Sequence, residues 1–353
     1  MVRVVPALLP EDLALLAGFR RQWDPLRGAR IFLTGGTGFV GRWLVSAFVH
    51  ANRQHGLDAR LELLTRDPGT FIRACPELAG YDAVSLIEGD VRTVDLRGVH
   101  CTHVIHGATP SDGRMNEERP EQMLEIIEAG TRRLLELASR RSAHRFLLVS
   151  SGAVYLPPAP MGGYTEDSPI GPAWPEEPFA YHAGKRASEA LALAAAHAGL
   201  PVTIARPFAF VGPHLPLDRH FAIGNFIGDA LSGRPVRVKG DGTPVRSYLY
   251  AAEMAAWLWT MLADERATGR TYNVGSEDAV SIAEAADVVA AAVQPSVPVS
   301  IDRTGTPNAP DVYVPSTRRA RGELGLRQSV AFAEAVRRTV AWHRTRPRGK
   351  GAG

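Results

Sequence analysis

The chain has 353 residues, of which 45% are hydrophobic and 22% charged, with a formal net charge of +3; this is the profile of a folded globular protein with a large core. So small a charge on so long a chain argues against nucleic acid or a membrane surface as partner, no apolar run approaches the roughly 20 residues that span a bilayer, and the start Met1-Val2-Arg3-Val4-Val5-Pro6 lacks the apolar region and cleavage site of an export leader. Two cysteines, Cys75 and Cys101, are too few for a disulfide framework or a Cys-rich metal site, so a reducing cytoplasm is the expected location and no metal is expected.

Residues Glu11 to Trp23 carry helical periodicity through Leu13, Leu15, Leu16 and Phe19, which predicts one added helix within an N-terminal extension, 1–29. From there apolar runs alternate with amphipathic helices. The runs are Arg30 to Thr34, Leu61 to Thr65, Ala83 to Glu88, His103 to His106, Arg145 to Ser150 and Pro201 to Ala205, with a seventh at Arg270 to Val274. Such alternation predicts an α/β fold, a Rossmann-type doubly wound parallel sheet. Continuous apolar strands such as Phe146-Leu147-Leu148-Val149 suit a sheet covered by helices on both faces. The dinucleotide-binding domain is expected over 30–207, with returns near 243–276. A smaller, interleaved substrate lobe, rich in Gly and Pro, is expected over 208–343, and a basic, disordered tail over 344–353.

The first strand runs into Gly35-Gly36-Thr37-Gly38-Phe39-Val40-Gly41 and then a helical run from Arg42 to His50. In this spacing Gly35 permits the tight turn, Gly38 lets backbone N–H groups approach a pyrophosphate, and Gly41 allows close helix packing. The second strand ends in Arg66-Asp67, where ribose recognition belongs. Arg66 suits a 2′-phosphate and NADP, Asp67 a free 2′-hydroxyl and NAD, and an internal ion pair in a solvated loop is the third possibility. Asp90, after the third strand, is placed to meet an adenine amine, and Gly107-Ala108, after the fourth, allow close approach to the cofactor.

Tyr181 and Lys185 are spaced i, i+4, on one face of a predicted helix. Lysine is scarce here, occurring only at Lys185, Lys239 and Lys350. An ammonium beside a phenol favours the phenolate and brings a group of ordinary pKa about 10 towards neutrality, which makes the tyrosine a usable acid or base.

With these residues in order, the chain resembles the extended short-chain dehydrogenases/reductases, specifically the nucleotide-sugar epimerases, dehydratases and ketoreductases, from about Arg30 to about Leu326. The marks are Thr34 to Gly41, Gly89-Asp90-Val91, His106-Gly107-Ala108, Ser150-Ser151-Gly152-Ala153-Val154-Tyr155, Tyr181 to Lys185, Arg206-Pro207-Phe208, Gly240-Asp241-Gly242-Thr243 and Tyr272-Asn273-Val274-Gly275. The resemblance implies that Tyr181 moves a proton on or off a sugar hydroxyl while hydride passes to or from NAD or NADP. Lys185 would hold the nicotinamide ribose, and Ser151 would hydrogen-bond the reacting oxygen. It adds Phe39, Val40, Val91 and Pro207 to the cofactor contacts and implies a nucleotide-sugar site at Thr109, Ser151, Gly152, Phe208, Asn225 and Arg246, the last gripping the diphosphate. It also implies a homodimer paired through the helices Pro120 to Ser139 and Ala180 to Ala198.

Departures narrow the reaction. Sugar 4,6-dehydratases of the best-known type carry an Asp-Glu pair directly after the Ser/Thr position, where this chain has Gly152 and Ala153, and decarboxylases of the family use a Glu near the same point. Reduction of a 4-keto-hexose or epimerisation at carbon 4 is therefore expected ahead of elimination. Ala209 replaces a frequent diphosphate-contacting Asn, and Asn308 stands near a frequent phosphate-binding Arg. His214, Arg219 and His220 are either substrate contacts or plain loop residues.

Overall fold

In the computed structural model the described residues are 8–109, 113–171, 180–219, 221–302 and 311–345. The first half of the chain runs α1 (Pro10–Ala17), α2 (Arg20–Trp23), β1 (Arg30–Thr34), α3 (Phe39–His55), β2 (Arg60–Thr65), α4 (Pro68–Ala74), α5 (Pro76–Ala79), β3 (Val84–Glu88), β4 (His103–His106), α6 (Gly113–Glu118), α7 (Pro120–Arg140), β5 (Arg145–Val149), α8 (Ala180–His197) and β6 (Val202–Pro207). The second half runs β7 (Ala209–Val211), α9 (Ala222–Leu231), β8 (Val236–Val238), β9 (Val245–Tyr250), α10 (Ala251–Ala263), β10 (Thr271–Val274), β11 (Ala279–Ser281), α11 (Ile282–Ala291), β12 (Val299–Ile301), β13 (Val312–Tyr313), α12 (Arg318–Leu324) and α13 (Phe332–Arg344).

Seven strands form one parallel sheet in the order β10-β6-β5-β4-β1-β2-β3. This is the doubly wound arrangement expected from the alternation of elements, with the seventh strand returning from the second half to pair with β6. Successive side chains of a strand face opposite ways, and the strands feed two cores accordingly. Ile31, Leu33 and Leu147 join the cluster under α3 and α10, whereas Phe32, Phe146 and Leu148 join the one under α7 and α8. Every residue of α10 is buried, with Trp259 set 5.2 Å from Trp23 and 6.0 Å from Phe48. The smaller sheets, β11-β9-β13 with β7 on β9 and β12-β8, carry the second half.

Some expectations require correction. The N-terminal helix is two helices, because Gly18 follows α1 with its N–H turned back to Leu15 and Leu16; glycine is a poor helix former. The helix expected from Arg42 starts at Phe39, capped by extended Gly38. The sixth strand runs on to Pro207. Asn308, His220 and residues 346–353 of the expected tail lie outside the described residues. Cys75 and Cys101 are both buried. No helix among the described residues is long and apolar enough to cross a membrane, and none of their His, Cys, Asp and Glu groups is arranged to hold a metal.

Candidate active site

Strand order reverses between β1 and β4, and a crevice at the C-terminal ends of the strands is where such sheets take ligands. The turns after these two strands touch. A Cβ on Gly35, whose φ is +78°, would sit 2.4 Å from the Gly107 carbonyl oxygen, while Gly107 N donates to Thr34 O at 3.1 Å and Ala108 N to Thr34 Oγ1 at 3.2 Å. Thr34 Oγ1 lies 2.8 Å from His106 Nδ1, and His106 Nε2 lies 3.1 Å from Thr131 Oγ1. This buried chain ties β1 and β4 to α7. Burial, with the Lys185 charge second, lowers the His106 pKa to about 3, so its ring is neutral.

Gly38 and Gly41 of the turn differ in what they permit. A Cβ on Gly41 would meet Gly35 O at 2.2 Å and Gly36 Cα at 2.3 Å, so packing alone demands glycine there. Gly38 has no protein neighbour closer than 3.6 Å to such a Cβ; the space beside it is open. It caps α3, which has no side-chain cap and no acidic residue in its first turn, leaving orphan N–H groups and the positive end of a 17-residue helix for an anion. The cradle fits the pyrophosphate of a dinucleotide, with Phe39 and Val40 in the first turn.

At the ribose end Asp67 accepts from Thr70 N at 2.8 Å and from Thr70 Oγ1 at 2.6 Å, capping α4. The ion pair envisaged with Arg66 is not formed. Arg66 is exposed and has no ion-pair partner among the described residues. Asp90 is held by Arg92, whose N and Nε donate to Oδ1 at 2.8 and 3.0 Å and whose Nη2 donates to Oδ2 at 3.0 Å. These contacts keep its pKa below the usual carboxylate range and leave Oδ2 able to accept another donor. Val91 packs beneath, 2.9 Å from where a Cβ on Gly130 of α7 would lie.

The strand ends β5 and β6 and the start of α8 bring the chemical groups together. Tyr181 N donates to Asn116 Oδ1 at 2.9 Å, which fixes the first turn of α8 to α6. Lys185 is buried, with Nζ donating to Thr109 Oγ1 and to Val149 O, both at 2.8 Å, and standing 5.8 Å from the centre of the Tyr181 ring. Thr109, expected at the substrate, thus serves Lys185. Burial lowers the lysine pKa to about 7, with the Glu189 carboxylate acting in the opposite sense. The expected depression of the Tyr181 pKa is not found: burial holds the phenol above its ordinary value, and the group acting to lower it is the Ser151 hydroxyl.

Ser151 Oγ accepts from Ala153 N at 3.1 Å, and the phenol of Tyr313 on β13 stands beside the next residue, Gly152. Gly152 is closed off. A Cβ there would lie 2.6 Å from the Tyr313 hydroxyl and 2.7 Å from two ring carbons of Phe208, whose ring centre is 4.5 Å from that of Tyr313. Phe208 is pinned by its N–H to Val274 O at 2.9 Å, directly after Pro207 at the end of β6.

Behind this layer Arg206 and Glu189 form a buried pair, Nη2 to Oε2 at 2.6 Å and Nε to Oε1 at 2.9 Å. Ser150 Oγ donates to the same carboxylate at 2.6 Å, and Arg206 Nη1 reaches the Tyr155 hydroxyl at 2.9 Å. That hydroxyl donates to Asn273 Oδ1 at 2.7 Å.

The remaining residues expected at the substrate lie in the second half of the chain. Arg246 on β9 gives Nη1 to Val245 O and Asp311 O, each at 2.8 Å, and Nη2 to Asp311 Oδ2 at 2.7 Å. Its ion pair is the observed state, although its guanidinium also stands 6.0 Å over the Tyr313 ring. Asn225 is half-buried on α9, which packs on α11, β8 and α13. His214 is buried against Trp342 at 4.6 Å between ring centres, and Arg219 is exposed and 4.0 Å from Asp218. Neither joins the Ser151 cluster. Tyr313 and the Glu189–Arg206 pair were given no role on the sequence; position i+4 from Lys185 is the one signal that could have marked Glu189.

A doubly wound sheet with a glycine cradle at its switch point, a Ser beyond the end of β5 and a Tyr and Lys on the helix α8 beside it defines an extended short-chain dehydrogenase/reductase. Within that class the chain belongs to the NAD dependent epimerase/dehydratase family, whose model matches residues 31–275, and it is an enzyme of the nucleotide-sugar group. It is 28% identical over 329 residues to UDP-glucuronic acid decarboxylase 1 of Arabidopsis thaliana, spanning 90% of this chain and 70% of that protein. It is 30% identical over 341 residues to a dTDP-glucose 4,6-dehydratase of Xanthomonas campestris pv. campestris, spanning 89% and 92%. Among solved structures, a dTDP-glucose 4,6-dehydratase of Streptomyces venezuelae with NAD bound matches with a TM-score of 0.74 at 25% identity, over 90% of this chain and 97% of that one. An epimerase of Methanothermobacter thermautotrophicus matches with a TM-score of 0.79 at 22% identity, over 93% and 95%.

Proposed function

We propose that this enzyme works at carbon 4 of a nucleotide-activated hexose by oxidising and re-reducing that carbon without eliminating water or carbon dioxide, as a 4-epimerase that retains NAD. The observation that carries the reading is Gly152, with Ala153 beside it. No carboxylate follows Ser151, and the space a side chain at 152 would take is filled by Tyr313 and Phe208. An elimination needs an acid for the leaving oxygen and a base for the adjacent carbon, and those two positions offer neither.

NAD, when bound, supplies the acceptor and donor of hydride; Gly35, Gly38, Phe39, Val40, Gly41, Asp90, Val91, Gly107, Ala108 and Pro207 would hold it. Lys185 anchors the floor of the site through Val149 O and Thr109 Oγ1 and is placed for a ribose hydroxyl. Tyr181 takes the proton of the carbon 4 hydroxyl and returns it, with the Ser151 hydroxyl acting to lower the phenol's pKa. A second reading, reduction of a 4-keto-hexose with NADPH, is favoured by Arg66, which is exposed and has no ion-pair partner among the described residues, as a 2′-phosphate contact would require.

The test is to incubate the purified enzyme with UDP- and dTDP-hexoses and follow the sugar by NMR and the nicotinamide by absorbance. The expected result is a carbon 4 epimer formed without net consumption of added cofactor, and lost in Tyr181→Phe. Stoichiometric NADPH oxidation with a 4-keto-hexose would move the assignment to the reductase, and a 4-keto-6-deoxy product or release of carbon dioxide would refute it.

A further inference from the structure

Every proton of the buried chain beneath the cofactor turns can be placed. Thr131 of α7 has one hydroxyl proton, and it goes to Ile127 O at 2.7 Å, since a carbonyl only accepts. The other contacts of Thr131 Oγ1 are Ser188 Oγ at 2.9 Å and His106 Nε2 at 3.1 Å, so both must donate to its lone pairs. His106 therefore carries its proton on Nε2. Its ring is neutral, which leaves Nδ1 a bare acceptor for the Thr34 hydroxyl at 2.8 Å. Thr34 Oγ1 accepts in turn from Ala108 N at 3.2 Å. The donors run one way, from Ala108 through Thr34, His106 and Thr131 to Ile127. Thr34, His106, Thr131 and Ser188 are all buried, so a reversed link would strand a polar group away from water.

One end of this chain is the turn that serves Lys185. Thr34 holds Gly107 N through its carbonyl and Ala108 N through its hydroxyl, and the next residue, Thr109, accepts from Lys185 Nζ at 2.8 Å. The other end ties down the helix that carries the lysine, because Ser188, which donates to Thr131, follows Lys185 by one turn of α8. We propose that His106 is a positioning residue of this enzyme: as the Nε2–H tautomer it draws the Thr34 hydroxyl towards Nδ1, fixes the Gly107–Thr109 turn, and so places the acceptor that holds the Lys185 ammonium. With the proton on Nδ1 instead, Thr34 would have to accept from the ring, and Nε2 would face an oxygen whose proton is already given to Ile127. Val149 O takes a second Lys185 proton at 2.8 Å, and the third is left for a ribose hydroxyl. A neutral ring also keeps a second cation away from the ammonium. The inference rests on the reading of Lys185 as part of the active site, but it can be tested without any sugar.

The first measurement is the 15N spectrum of the imidazoles in the NAD-bound enzyme, with the His106 signals identified by their loss in His106→Gln. A protonated Nε2 and a bare Nδ1 are expected, unchanged from mildly acid to mildly alkaline pH; a proton on Nδ1 would overturn the proposal. The second follows Lys185 with 13Cε-labelled lysine, a simple spectrum because the chain has only Lys185, Lys239 and Lys350. An ammonium that loses a hydrogen bond gives up its proton more readily. In Thr34→Val, and in His106→Gln, which can keep a donor for Thr131 but no acceptor for Thr34, the Lys185 midpoint should fall by about one pH unit. His106→Asn, whose side-chain oxygen stands near the place of Nδ1, should restore most of that shift. The base-dependent limb of kcat/KM against pH should move up in the first two variants and return in the third, because a weaker positive charge favours the Tyr181 phenolate less. A Lys185 midpoint unchanged in Thr34→Val and His106→Gln would overturn the proposal, however far Tm falls; if neither folds, the tautomer decides. The expected shifts in a protein that epimerises no hexose would leave the role of His106 standing and overturn the assigned reaction.

Discussion

Replacing Arg206 by Met should destabilise the enzyme more than the loss of a surface ion pair, because it strands a charge. Arg206 and Glu189 have side chains only 7% and 2% exposed, and the carboxylate takes both Nε and Nη2 of the arginine along with the Ser150 hydroxyl. Exposed ion pairs contribute about 0–1 kcal/mol, whereas removing one partner of a buried pair costs about 3–5 kcal/mol, since the other charge remains without water or counter-charge. For 353 residues, the usual entropy of unfolding near 60 °C sums to about 0.7 kcal/mol/K, so that cost corresponds to a fall in Tm of about 4–7 °C. Differential scanning calorimetry of Arg206→Met, Glu189→Leu and the double variant would measure it. The double variant should lose less than Arg206→Met, because no buried charge is left over. A fall below about 1.5 °C in Arg206→Met, or a double variant worse than the single, would refute the account.

Asp12 in α1 is fully buried, accepts from the Tyr250 hydroxyl at 2.7 Å and lies 3.8 Å from Arg338. Burial raises its pKa from 3.8 to about 6, so the unfolded chain releases this proton first as pH rises and stability is lost across that window, by about 3 kcal/mol in all. Asp12→Asn should remove this loss, so that its urea midpoint relative to the parent rises between pH 4 and pH 7; a constant difference across that range would contradict the assignment. Gly38→Ala should fold with an unchanged Tm but retain less NAD, counted as nicotinamide released on denaturation, because its Cβ has room in the protein and none against a pyrophosphate. Gly41→Ala, whose Cβ meets Gly35 O at 2.2 Å, should lower stability by about 1–3 kcal/mol; equal Tm values for the two variants would show that the turn is not packed as described.

The sheet was legible because seven apolar strand-like runs alternate with helices, and no other arrangement buries both faces of strands such as Phe146-Leu147-Leu148-Val149. The glycine cradle and the Tyr181/Lys185 pair were legible because their spacing is local to one turn and one helix. Tyr313 was not, since it arrives on a two-residue strand whose partners are set only by the tertiary fold. Glu189 and Asp12 carried no reading on the sequence; their burial beneath α8 and α1 comes from packing that periodicity does not weigh. On the sequence His214 is either a substrate contact or a plain loop residue, and the fold turns it against Trp342.

The Asp12–Tyr250–Arg338 contact joins α1, β9 and α13, and Trp23 beside Trp259 joins the extension to the helix beneath the sheet. The family match spans only 31–275, so both outer parties to this clasp lie beyond it. A protein trimmed to the matched region would expose the faces of α10 and β9 and leave the Tyr250 hydroxyl without its buried acceptor. The stretch that identifies the family is therefore narrower than the stretch that must fold together, and any minimal version of this enzyme has to keep the helices on either side.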